Sequence, residues 1–216
     1  MERTRTRTRT RTELRKVFMN DLDPHQASGP DTHGVTLRPP RPADAPAVWR
    51  LVSESDILDT NSLYYYNLWF RDFADTSVVA VTGDGRVAGF VTAYVRPSRP
   101  DTLMAWQSAV DPGHRAPGLA VRMMHELADR TAGRGVTCFE TTVNPGNRAV
   151  ALMLRRFAHE RRLDVRTEVL FGTDDFPGDG SRPHPPEVLY RMTPAEPVPR
   201  HRAAAGSTAA AAVPAR

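Results

Sequence analysis

A carboxylate, Glu140, stands in the middle of the apolar run VTCFETTV. Strand alternation would put Glu140, Thr142 and Asn144 on one face and Phe139, Thr141 and Val143 on the other. A charge at the centre of a strand is costly without a partner. An attacking amine would be one such partner, and a structural arginine would be another. Read for chemistry, Glu140 is the leading general-base candidate. Cys138 is the only cysteine, which excludes an internal disulfide and a thiolate cluster. In its apolar setting it reads as an inert buried thiol. No grouping of His, Cys, Asp or Glu has metal-ligand spacing, so no metal is expected.

The loop HRAPGLA, residues 114–120, joins an apolar run to the helix-like run VRMMHELADR. Arg115, Gly118 and Ala120 fit the pattern Arg/Gln-x-x-Gly-x-Gly/Ala. A helix start presents unpaired N–H groups and a positive dipole end, where a pyrophosphate can settle. Gly118 and Ala120 would keep side chains out of its way. An ordinary helix start reads much the same. Two departures stand out: Ala116 takes a place where such loops want glycine, and Pro117 cannot donate a backbone hydrogen bond.

These residues need a scaffold, and the sequence sketches one. VTLRP from Val35 is a short strand, and PADAPAVWRLVSES is an amphipathic helix with Asp44 in its first turn. NSLYYYNLWFRDF is a second helix with Asn61 or Ser62 as N-cap. TSVVAVTGDGRVAGFVTAYV reads as a hairpin turning at Gly83-Asp84-Gly85. DTLMAWQSAV is a strand, Gly118 to about Ala132 a helix, and VTCFETTV a strand. NRAVALMLRRFAHERR is a helix with Ala151, Leu154 and Phe157 on its inward stripe. RTEVLFG and EVLYRM close the chain as strands. The order β-α-α-β-β-β-α-β-α-β-β implies a mixed α/β sheet flanked by helices.

Charge locates the ends of that scaffold. Residues 1–16 carry a surplus of five positive charges and residues 195–216 a surplus of two. Subtracting both from the overall +4 leaves −3 for residues 17–194. The basicity thus belongs to the tails, and no nucleic-acid partner is expected. The repeat RTRTRTRTRT holds no core-forming residue, so residues 1–34 read as a disordered tail and linker. Residues 195–216 read as an Ala-rich tail, leaving residues 35–194 as one domain. The chain lacks an apolar run of ~18 residues and an N-terminal apolar stretch, so neither membrane span nor secretory signal is expected. The expectation is a cytosolic protein.

Strand, loop, helix, strand and Asn-headed helix in this order resemble the GNAT acetyltransferase superfamily, in which the loop binds the pyrophosphate of acetyl-coenzyme A. LDTNSLYYY, RPSRPDTLMAWQ, FETTVNPGNRAV and EVLYRM resemble more narrowly the diaminobutyrate acetyltransferases of ectoine biosynthesis. The resemblance runs from about residue 35 to 194. It implies a mostly antiparallel GNAT sheet, acetyl-coenzyme A as co-substrate, a small diamine as acceptor and a homodimer. It also implies acetyl transfer to the γ-amino group of diaminobutyrate, with another small amine or a peptide N-terminus as the alternative acceptor. A non-catalytic binding module with a basic arm is the reading from a different class.

The resemblance assigns roles residue by residue. Asp59 and Tyr64 would hold the diamine, although alone they read as a helix-cap carboxylate and a half-buried ring. The thiolate would leave unaided or take a proton from Tyr64, water or another group, with Glu140 as the base candidate. Trp106 would wall the pocket, or simply fill the core. Ala109 and Val110 would lie along the cofactor arm, where a splayed strand offers main-chain N–H groups to a developing oxyanion. Arg115, Gly118, Leu119 and Ala120 would cradle the pyrophosphate. Asn147 would touch the cofactor arm, cap its helix, or both. His184 and Glu187 would line the substrate side, where HPPE stands in place of His-Glu-x-Glu and Pro185 replaces a carboxylate. Leu154 occupies the place of a proton-donating tyrosine in many superfamily members, and it cannot donate.

Overall fold

The computed structural model describes residues 34–55, 58–114, 117–176 and 183–195. Both expected tails, apart from Gly34 and Ala195, lie outside the described residues, as do Arg115 and Ala116. The elements are β1 (Val35–Arg38), α1 (Ala45–Ser53), α2 (Leu63–Asp72), β2 (Val78–Thr82), β3 (Val87–Arg96), β4 (Arg99–Val110), α3 (Leu119–Ala132), β5 (Cys138–Val143), α4 (Arg148–Arg161), β6 (Leu163–Phe171) and β7 (Glu187–Pro194). Their order is the one the local patterns imply. Three short 3-10 turns punctuate it at Pro42–Asp44, Ala74–Thr76 and Thr173–Asp175.

The strands form a single mixed sheet in the order β1-β2-β3-β4-β5-β7-β6. Every neighbouring pair is antiparallel except β4 and β5, which α3 connects as a parallel crossover. Strand alternation then sorts side chains to two faces. Val78, Ala80, Ala93, Leu103, Phe139 and Val143 meet Met123, Leu127, Leu154 and Phe157 under α3 and α4. On the opposite face Val79 and Phe90 meet Val48, Val52, Tyr66 and Phe70 from α1 and α2. Each large side chain so buried stabilises the fold by about 1.5–3 kcal/mol.

Local chemistry sets the joints. In the β2–β3 hairpin, Gly85 N and Arg86 N donate to the main-chain and side-chain oxygens of Thr82, at 2.9 and 3.0 Å. Arg38 grips Asp44 through two bonds of 2.7 and 2.8 Å, locking β1 to the start of α1. Ser62, rather than Asn61, caps α2 by accepting from Tyr65 N at 3.2 Å. Gly89 lets α3 lie close to β3 and β4: a Cβ there would fall 2.9 Å from the Ala109 carbonyl and 3.2 Å from Met123 Cε. Strand β6 starts earlier than its RTEVLFG pattern implies, because Leu163 and Asp164 pair with Pro194 and Thr193 of β7.

Candidate active site

Residues 102–105 of β4 pair with 138–141 of β5, and the pairing ends there. Strand β4 continues to Val110 bonded only to β3, so the two central strands part and leave a cleft. Asp111 N donates to Ala88 O at 2.8 Å and Gln107 N to Thr92 Oγ1 at 3.2 Å, both toward β3. Antiparallel alternation then turns the main-chain groups of Ser108 and Val110 into the cleft. Those free N–H and C=O groups suit an extended amide-bearing arm lying along β4. Ala109 turns its own main chain toward β3, so its share of such a surface is its small side-chain position alone.

Helix α3 begins beside this cleft. Gly118 precedes it with φ +76, a left-handed conformation that glycine adopts without strain. A Cβ there would meet nothing closer than Arg156 Nη1, at 3.8 Å, so the backbone rather than crowding demands glycine. Leu119 and Ala120 open the helix, so their N–H groups belong to the first turn, whose donors lie beyond the reach of the helix's own carbonyls. Pro117 lies before the cap, outside the helix, so the missing N–H is a loop donor and the first-turn donors are intact. The neighbouring Arg156 guanidinium, on α4, supplies positive charge at this spot. Sequence reasoning missed it because nothing in α4 points to the distant loop.

On the α1/α2 face, a relay ties the chain before α2 to β4. Tyr66 donates to Gln107 Oε1 at 2.7 Å, and Gln107 Nε2 donates to the Asp59 carbonyl at 2.9 Å. The main chain at the exposed Asp59 is thereby tied to β4 at Gln107, the residue after Trp106. Trp106 is 53% exposed although it lies in a central strand, and its ring sits 6.2 Å from that of Trp69. A half-exposed tryptophan there is a pocket wall in shape, not core filling. Tyr64, in the first turn of α2, is 73% exposed. Tyr65, the next residue, stacks edge-on to Tyr66 and tilted on Trp69. Its hydroxyl is buried without a hydrogen-bond partner among the described residues. Burial pushes this phenol well above its ordinary pKa; Thr92 and Trp106 lie near enough to temper the shift, but neither makes a bond of good geometry.

Glu140 does share the α1/α2 face, but it is not free for base chemistry. It is 1% exposed, and it accepts from Arg96 Nη1 at 2.6 Å and from Arg191 Nε at 2.7 Å, with Arg99 Nη1 at 3.6 Å. Burial alone would raise its pKa; the bonds and charges of Arg191 and Arg96 outweigh burial and hold the carboxyl below its ordinary range. A carboxylate so stabilised is a poor proton acceptor. The structural arginine, not the amine, is the partner of Glu140, and its assignment as general base is withdrawn.

Glu187 begins β7 and alternates onto the face that carries Leu189 and Arg191, beside the open end of β5. His184 stacks on Phe176 at 4.0 Å, and its Nδ1 lies 2.7 Å from the Pro185 carbonyl. Because a carbonyl only accepts, Nδ1 is the donor in this contact. Asn147 caps α4, its Oδ1 accepting from Val150 N at 3.2 Å. Leu154 is 1% exposed in the core beneath α4. Cys138 is a free buried thiol. No cluster of three or more His, Cys, Asp or Glu able to hold a metal occurs among the described residues.

Comparison with known proteins agrees with this geometry. Residues 45–158 match the GNAT acetyltransferase family. The chain is 51% identical over 156 residues to the L-2,4-diaminobutyric acid acetyltransferase of Streptomyces coelicolor, covering 72% of this chain and 90% of that protein. Identity to the enzyme of the same name from Streptomyces avermitilis is 48% over 162 residues, covering 74% and 89%. Among solved structures, the diaminobutyrate acetyltransferase of Paenibacillus lautus, in complex with its substrate L-2,4-diaminobutyric acid and coenzyme A, superposes with a TM-score of 0.70. That pair is 36% identical and covers 75% of this chain and 96% of the other. A cleft between parting central strands, a left-handed glycine before α3 and this degree of identity together make the chain a member of the GNAT acetyltransferase family and, within it, of the L-2,4-diaminobutyric acid acetyltransferases.

Proposed function

We propose that this chain transfers the acetyl group of acetyl-coenzyme A to the γ-amino group of L-2,4-diaminobutyrate, giving the N-γ-acetyl product, a step of ectoine biosynthesis. The observation that carries the reading is the Tyr66–Gln107–Asp59 relay, which ties the main chain of the exposed Asp59 to β4 at the residue next to the half-exposed Trp106. Acetyl-coenzyme A supplies an activated acyl group. The main chain of Ser108 and Val110 takes its extended arm, with an N–H directed at the carbonyl oxygen where negative charge develops. Gly118, Leu119 and Ala120 receive the pyrophosphate, with Arg115 and Arg156 adding charge, and the amide of Asn147 borders the arm.

Only the neutral amine attacks. With an ammonium pKa near ~10, about one molecule in ~10³ is neutral at pH 7, a cost of about 4 kcal/mol that a positioned base offsets in part. Asp59 pairs with the diamine and Trp106 walls its carbon chain. With Glu140 committed to arginines, the proton passes to Nε2 of His184 or to Glu187. Tyr64 closes over the substrate and returns a proton to the departing thiolate, the task Leu154 cannot perform. The acidic balance of residues 17–194 suits a cationic acceptor better than a nucleic acid. The reaction draws on the cytosolic pool of acetyl-coenzyme A. No described helix is long and apolar enough to cross a membrane.

Mass spectrometry of the product from diaminobutyrate and acetyl-coenzyme A tests the reading. It expects one acetyl group, on the γ-nitrogen. Preference for a different amine in a panel of acceptors would overturn the substrate assignment. Asp59→Asn is expected to lower kcat/KM for the diamine by roughly 10–100-fold, the worth of one charge-assisted bond, while KM for acetyl-coenzyme A stays unchanged. Full activity in that variant would remove Asp59 from the site.

A further inference from the structure

We propose that Glu160 is a positioning residue for coenzyme A: together with His125 it fixes the Arg156 guanidinium against the start of α3. The inference rests on reading that helix start as the pyrophosphate site.

An arginine on a helix surface is a diffuse anion ligand, because ordering its long stem costs rotamer entropy. Arg156, in the second half of α4, is not left to wander. Its Nε donates to Glu160 Oε1 at 2.8 Å, one turn further along the helix. Such a pair on its own adds little and leaves both side chains loose. Here the second oxygen, Oε2, lies 2.6 Å from His125 Nε2 on α3. Arg161 settles which atom donates: its Nε donates to His125 Nδ1 at 2.8 Å, so Nδ1 accepts and Nε2 carries the hydrogen. Arg161 is held in turn, its Nη2 donating to the His125 carbonyl at 3.0 Å and to Asp129 Oδ1 at 2.6 Å. The buried Phe157 ring braces the imidazole from 5.2 Å away. The chain of bonds from Asp129 to Arg156 thus crosses repeatedly between α3 and α4.

Burial favours a neutral Glu160, but the bonds of Arg156 and His125 outweigh it and hold the carboxyl below its ordinary range. The group is ionised and accepts at both oxygens, which an amide with its single oxygen cannot do.

Glu160 engages Nε alone. Among the described residues, neither terminal nitrogen of Arg156 has a hydrogen-bond or ion-pair partner. Nη1 lies 3.8 Å from where a Cβ on Gly118 would stand. The Nη1–Nη2 edge, which can grip a phosphate through two parallel N–H bonds, is therefore open beside the first-turn amides of α3.

Calorimetric titration of the full chain with coenzyme A tests the proposal. Arg156→Ala should weaken Kd by about tenfold or more, the loss of a charge-assisted contact. Glu160→Ala should weaken it by about 2–10-fold, because Arg156 then has to be ordered on binding. The double variant should bind no worse than Arg156→Ala alone, since Glu160 acts through that arginine. A carboxylate acting only by its charge would repel the ligand, so tighter binding in Glu160→Ala would overturn the proposal. So would additive losses in the double variant. Kinetics separate positioning from a loosened fold. KM for acetyl-coenzyme A should rise in Glu160→Ala with little change in kcat, and rise more than KM for acetyl-pantetheine, which carries no phosphate. An equal rise for both donors would make Glu160 merely structural. If Arg156→Ala weakens binding and Glu160→Ala does not, the proposal alone fails. If Arg156→Ala binds coenzyme A as the native chain does, the guanidinium is off the phosphates, and that part of the site reading falls with the proposal.

Discussion

Glu140 shows what a single residue type in a pattern can and cannot convey. Its burial in a central strand is legible from alternation, and so is its need for a partner. The partners are not legible, because Arg96 and Arg191 lie 44 and 51 residues away. Its folded pKa lies below the ordinary value of 4.5, so the stability it contributes is complete above that value. That contribution is lost as pH falls through the lower folded value. Glu140→Gln should cost about 1–3 kcal/mol, less than a fully dry ion pair because each arginine is about a third exposed. Melting curves of both proteins check this: Tm should drop by roughly 3–8 °C at neutral pH, with the gap closing as pH falls below the ordinary carboxylate range. The pH profile of kcat should keep its shape, whereas a catalytic base would shift it. Gln107 and Tyr66 escaped sequence reading for the same reason: their relay to Asp59 joins residues 41 and 48 positions apart.

At the scale of elements, the start of α3 is the joint on which cofactor binding turns. Sequence spacing identified Gly118, Leu119 and Ala120 correctly as the mouth of a helix, because capping is local. The structure adds a second reason for the glycine that spacing did not carry, a left-handed backbone at φ +76. Gly118→Ala should therefore cost about 1 kcal/mol in backbone strain and raise KM for acetyl-coenzyme A, which steady-state kinetics would show. Pro117→Gly restores a loop N–H next to the helix dipole. If that donor reaches phosphate, the gain is about 1.5 kcal/mol, and KM for acetyl-coenzyme A should fall roughly tenfold. An unchanged KM would mean that the first-turn amides alone carry the anion.

At the scale of the whole molecule, the order of elements was legible because each strand and helix announces its own period, 2 or 3.6. The faces followed from it, since a strand with one apolar set has one core side. What no local pattern carries is where β4 and β5 part company, a place set by how far the α3 crossover lets two distant strands run together. That point has a mechanical consequence. The sheet is two plates, β1–β4 and β5–β7, sutured by a four-residue ladder. A ligand lying between them completes the suture, so coenzyme A acts as a removable stitch. At a hundredfold excess over its Kd it should add about 2.7 kcal/mol, raising Tm by roughly 5–10 °C. Hydrogen exchange should slow in both plates at once, at residues 106–110 and along β5. Slowing confined to one plate would mean that the ligand rests on the sheet without joining its halves.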